Sequence, residues 1–147
     1  MDSMVWPLRR NSIAVLCIVV LLGCGEKLPN HKPVTGTVSF QGKPLAAAHV
    51  RFIPIETTTG VGGHAKTDAE GKYRVVYAQG GNGLPPGKYK ITVSQMLMPD
   101  GSPGPENVSP IESPAREMLP QHYSQELASR LTKEVPPDGG VLDLVLE

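Results

Sequence analysis

Residues able to do chemistry are few in this 147-residue chain, and they are scattered. Its two cysteines are Cys17 and Cys24, and Cys24 closes the apolar part of LLGCGEKLPN (Leu21 to Asn30). A cysteine there can be a disulfide partner, a buried small side chain, a nucleophile or an attachment point. His49, His64 and His122 belong to three separate segments, and none forms the i, i+2 or i, i+4 pair that metal ligation favours. They are expected on a solvated surface. The glycine-rich GGNGLPPG lacks the lysine and following helix of a phosphate loop, and no G-x-S-x-G nucleophile elbow occurs. Asp68, Glu70 and Asp100 fall in turn-like sequence; Asp68-Ala69-Glu70-Gly71 offers two carboxylates, whereas a calcium site collects about six to eight oxygens. A plain turn is expected, in which Asp68 bonds its own backbone. These patterns predict a protein that is not an enzyme and holds no metal or cofactor.

A basic surface is the remaining candidate. On strand alternation the outward positions include His49, Arg51, Lys66, Lys72, Arg74, Lys88 and Lys90. If neighbouring strands carry them, one sheet face is strongly basic on a molecule of zero formal net charge, suited to anionic polysaccharide or lipid headgroups. The plain alternative is that these are ordinary solvated strand residues.

The start of the chain decides what Cys24 is for. Arg9 and Arg10 precede Ile13 to Leu22, an unbroken apolar run of ten residues. A membrane-spanning helix needs about 20 apolar residues, so the run is too short for a permanent span. Charged start, apolar middle and small-residue end are the order of a secretory signal. Leu21-Leu22-Gly23-Cys24 resembles the lipobox of bacterial lipoproteins. That resemblance implies a diacylglycerol on the Cys24 thiol, cleavage before it and acylation of the new amine. Stable anchoring does need more than one acyl chain. Residues 1–23 are then the signal peptide and 24–32 the lipidated end and tether. A disulfide would need Cys17, which lies in the removed segment, and nothing near Cys24 supplies a base for a catalytic thiolate. Gly25, rather than Asp, follows the cysteine, and the sorting rule that comes with the resemblance favours the outer membrane.

The elements that must position these residues lie in the remaining 124 residues, enough for one core without disulfides. Loss of Arg9, Arg10 and Asp2 leaves 12 basic and 13 acidic side chains, a balance that argues against a nucleic-acid partner. Period-two segments follow one another. Val34, Val38 and Phe40 share a face, as do Ala48, Val50 and Phe52. His64 to Tyr77 reads as a hairpin with Ala65, Thr67, Tyr73, Val75 and Tyr77 inward, turning at Asp68 to Gly71, where the glycine is expected at positive φ. Tyr89, Ile91 and Val93 face in, and so do Leu142, Leu144 and Leu146. The best helical stretch is Ser124 to Leu131, two turns at most. Met96 to Glu117, rich in proline and serine, reads as a long loop interrupting the domain. The pattern predicts an all-β fold: a small antiparallel β-sandwich of about seven strands with Greek-key connections.

The order GTVSFQGKPL (Gly36 to Leu45), VRFIP (Val50 to Pro54), TDAEGKY (Thr67 to Tyr73) and LPPGKYKITV (Leu84 to Val93) resembles the carboxypeptidase regulatory-like domain, a transthyretin-like (prealbumin-like) sandwich. Leu119-Pro120-x-x-Tyr123, Val135 and the ending from Gly139 are similar to short bacterial lipoproteins built on this one domain at residues 33–147. The resemblance implies a non-catalytic module. Transthyretin-related hydroxyisourate hydrolases end in Tyr-Arg-Gly-Ser, whereas this chain ends Asp143-Leu144-Val145-Leu146-Glu147. Two functions follow as expectations. One is a lipid-anchored envelope module that meets a protein partner or the cell wall. The other is a module binding a small ligand, carbohydrate or anionic polymer. Without Trp6 the domain has no tryptophan, and only Tyr123 stands free as an aromatic platform, which favours the first. No heptad or long apolar surface calls for an oligomer, so a monomer is expected.

Overall fold

The computed structural model describes residues 30–109 and 111–147. Cys24, the signal segment 1–23 and the tether up to residue 29 lie outside the described residues.

The chain forms β1 (Val34–Phe40), β2 (Lys43–Pro44), β3 (His49–Pro54), β4 (Gly63–Lys66), β5 (Lys72–Arg74), β6 (Val76–Tyr77), β7 (Gly87–Ser94), β8 (Met96–Leu97) and β9 (Arg116–Glu117). A single helical turn, α1 (Gln121–Ser124), precedes β10 (Thr132–Val135), β11 (Gly140–Val141) and β12 (Leu144–Leu146). The fold is all-β. One sheet is fully antiparallel, in the order β10-β7-β3-β4-β6. The other is mixed and built around β1, with β5 and β2 antiparallel to it and β11 and β12 parallel. The parallel pairing departs from the expected all-antiparallel sheet. It costs nothing topologically, since the rest of the domain connects β1 to β12, and a parallel pair requires a long crossover.

Alternation did place the core. Val34, Val38, Val50, Phe52, Tyr73, Val75, Tyr89, Ile91, Val93, Leu144 and Leu146 are all buried between the sheets, with Ala65 and Tyr77 beside them. Phe52 sits at the centre, its ring 6.0 Å from that of Tyr73 and 6.3 Å, edge-on, from that of Tyr89. Phe40 and Leu142 are only half-buried at the border. Leu45, Leu84, Leu119 and Val135 complete the core from segments without a readable period.

The expected hairpin from His64 to Tyr77 is only partly one. Its turn forms as predicted: Asp68 Oδ1 accepts from the Glu70 and Lys72 amides at 3.0 and 2.8 Å, and Gly71 has φ 74°. Its outer ends pair, His64 with Val76. Between them β5 leaves β4 and bonds β1 instead, so residues 72–77 pass from one sheet to the other at Val75, whose amide donates to Val34 O. Thr67 fills the gap, donating from Oγ1 to Leu45 O and accepting from the Ala48 amide.

At the centre of β1 the parallel ladder is interrupted where Leu142 crosses Gly36. A Cβ on Gly36 would collide with the Leu142 carbonyl. That carbonyl accepts from the Tyr73 hydroxyl, and Asp143 Oδ1 accepts from the Thr37 amide and hydroxyl at 2.9 and 2.8 Å. These bonds replace the missing ladder contacts.

The chain enters the domain under restraint. Lys32 and Leu84 exchange both backbone bonds, at 2.8 and 2.9 Å, and the His31 ring lies 4.0 Å from that of Tyr77. At the opposite end Tyr123 packs edge-on to Phe40 and bonds both backbone groups of Glu147.

Candidate functional site

The basic positions do not share one surface. His49 and Arg51 on β3, Lys66 on β4, and Lys88 and Lys90 on β7 project from the outer face of the antiparallel sheet, with His64 among them. Lys72 and Arg74 belong to β5, opposite Thr37 and Thr35 in the other sheet. Lys66 stands at the seam and lines both the cavity on its own sheet and a groove shared with Lys72 and Arg74. Acids further dilute the charge. Lys88 pairs with Glu56 at 3.2 Å and faces Glu134 across β10, while Lys66 pairs with Glu106.

Glu106 belongs to the segment from 96 to 117, which is ordered at its base rather than a free loop. Met96 and Leu97 pair with Glu117 and Arg116, and Gly104 N donates to Met96 O. Glu117 acts as the staple: its carboxylate accepts from Ser94 Oγ at 2.5 Å, the Gln95 amide at 2.9 Å and the Leu119 amide at 3.0 Å. The Gln95 side chain in turn donates to Ala46 O at 2.7 Å. Proline and serine exclude a continuous strand, yet this carboxylate closes the two legs of the excursion together with the β8–β9 pairing and the Met118 amide, which donates to Gln95 O at 2.9 Å.

So held, the excursion overhangs the end of the antiparallel sheet and forms a half-open cavity of about 510 Å³ against it. The floor carries His49, His64 and Lys66; Met96, Pro103, Pro105 and Val108 line the roof side. His49 is in register with Lys66, and His64 with Arg51, so the two imidazoles stand one diagonal apart on neighbouring strands. The Lys66 ammonium, and then the charge of His49, hold the Glu106 carboxyl below its usual range. Sequence alone offers no sign of this arrangement. His49 and His64 are far apart in the chain, and Glu106 reaches Lys66 across 40 residues. Among the described residues no group of three or more His, Cys, Asp or Glu is placed to hold a metal ion.

The aromatic side chains offer little platform. Tyr73, Tyr77 and Tyr89 are buried, and Tyr123, expected to stand free, is clamped between Phe40 and the chain end. An apolar patch beside it includes Leu127, 99% exposed, and Val145. No family model, curated protein or solved structure matches this chain.

Proposed function

We propose that this is a lipid-anchored, non-catalytic protein of a bacterial cell envelope. Its domain, a carboxypeptidase regulatory-like sandwich with transthyretin-like Greek-key order, serves as a structural or protein-interaction module. The observation that carries the reading is Leu21-Leu22-Gly23-Cys24, a cysteine closing a ten-residue apolar run shortly before Lys32, which pairs with Leu84. Gly25 to His31 can reach at most about 25 Å, so an acylated Cys24 keeps the domain close to the membrane surface. Gly25 favours the outer membrane. The fold-family part of the reading is supported by where the quoted motifs fall: on β1 and its turn, on β3, on the Asp68–Gly71 turn, and on the entry to β7.

A protein partner is favoured over carbohydrate by the aromatic inventory, since sugar sites stack rings on exposed aromatic faces and the tyrosines here are buried or clamped. The test is Cys24→Ser in the producing cell. The expected result is loss of incorporated palmitate and uncleaved precursor retained at the inner membrane. A Cys24→Ser protein still processed at residue 24, with unchanged partition into detergent, overturns the reading. Affinity capture of the anchored wild type from its envelope then identifies the partner.

A further inference from the structure

The cavity under the 96–117 excursion already contains a carboxylate. Glu106 is exposed and comes from a loop, yet its side chain rests on Lys66 and within the field of His49. The floor thus presents one ammonium donor on a flexible four-carbon stem and two imidazoles on short stems, all carried by adjacent strands. Facing them is an apolar roof of methionine, prolines and valine. The lining contains no arginine, the side chain whose fork suits phosphate best. One positive charge with flanking imidazoles matches a single carboxylate, and the apolar roof matches a compact aliphatic body. The volume lies within the range of small-molecule sites, about 300–1,000 Å³.

We propose that this cavity binds small aliphatic carboxylates and that Glu106 is a built-in competitor. The ligand's carboxylate takes the place of Glu106 on Lys66, between His49 and His64, and its hydrocarbon part lies beneath Val108 and Met96. Glu106 pairs with Lys66 near the surface, where an ion pair contributes little, so exchange for an incoming carboxylate is nearly even and the apolar contacts decide it. The proposal does not depend on how the chain is anchored.

The experiment titrates full-length protein in mild detergent with isovalerate, a branched four-carbon chain on a carboxylate that partitions poorly into micelles, and with its neutral amide. The histidine imidazole protons are followed by NMR, and His49 and His64 are assigned from single His→Gln variants. Isovalerate should move both resonances, leaving His122 unchanged, and the amide should move neither. Glu106→Gln should tighten isovalerate binding by about three- to sixfold, since a competitor held by a weak surface ion pair has been removed. Lys66→Met should abolish it. Both positions are exposed, and matched far-UV spectra check that the variants are folded. The proposal is overturned if the Glu106→Gln protein shows no shift at tens of millimolar isovalerate. Equal shifts with the amide, unchanged binding in Lys66→Met, or displacement of isovalerate by equimolar inorganic phosphate also overturn it.

Discussion

Gly36→Ala tests how the two sheet edges meet at β1. Gly36 needs no special backbone angle; what it needs is space, because the Leu142 carbonyl crosses it where a Cβ would stand. Alanine must push Leu142 away, an overpacking cost of about 1–3 kcal/mol. The same displacement separates the Leu142 carbonyl from the Tyr73 hydroxyl, which is buried and bonds nothing else among the described residues. An unsatisfied buried polar group adds about 1–3 kcal/mol, so the expected loss is about 2–6 kcal/mol. The mechanism predicts coupling. In a Tyr73→Phe background the bond is already gone, and so is the hydroxyl oxygen that would lie 2.9 Å from the new Cβ. There Gly36→Ala should cost only about 1–3 kcal/mol. Urea unfolding of the four proteins, followed by far-UV circular dichroism in one detergent, gives the cycle. Single costs that add to within about 0.5 kcal/mol would refute the argument, as would a Gly36→Ala loss below about 1 kcal/mol.

Two further outcomes follow from the core. Phe52→Ala, which empties the contact between Tyr73 and Tyr89, should cost about 3–5 kcal/mol by the same unfolding assay; a loss under about 1 kcal/mol would mean that β3 turns its other face inward. Burial, and then the charge of Tyr77, pushes the Tyr89 phenol up from 10 to about 12, and its hydroxyl donates to Pro85 O at 2.8 Å. Because the folded value is the higher one, the stabilisation is complete below pH 10 and disappears as pH rises toward 12. Ultraviolet titration should therefore show tyrosinate from Tyr89 only as the fold opens; Tyr89 ionising near pH 10 in an intact fold would contradict this.

Much of the core was legible because side-chain alternation is local: one residue on β3 or β7 fixes the faces of its neighbours, and Val50, Phe52, Tyr89, Ile91 and Val93 follow from it. Pairing is not local. Nothing within Leu142 to Leu146 says that β12 lies parallel to β1, and nothing within Lys72 to Arg74 says that β5 leaves its hairpin for the other sheet. That one departure separates Lys72 and Arg74 from Arg51, Lys88 and Lys90, leaving only Lys66 at the seam beside them. The helix moved for a visible reason. Pro120 starts it at Gln121, and Ser129 Oγ bonds Ile91 O at 2.5 Å, drawing the expected stretch from Ser124 to Leu131 alongside β7 instead. Leu127 is fully exposed while Leu131 packs against the core, so the two do not share one buried helical face. The cavity was invisible for the same reason as the pairing, since it exists only once Glu117 has closed the excursion and brought Glu106 over Lys66 and the two histidines.

The pair of backbone hydrogen bonds between Lys32 and Leu84 has a mechanical consequence. The chain enters at one end of the sandwich, and the 96–117 excursion leaves from the other, separated by the eight residues of β7, roughly 26 Å. A load applied between Asn30 and a partner held at the far end would therefore run along the strands rather than across them. Lys32 and Leu84 take it first, and behind them β1 passes it to strands on both of its edges. Strands pulled lengthwise must slip many backbone bonds at once, whereas strands pulled sideways unzip one bond at a time. Under such a load the backbone pairs along β1 and β7 would be sheared together rather than opened in sequence.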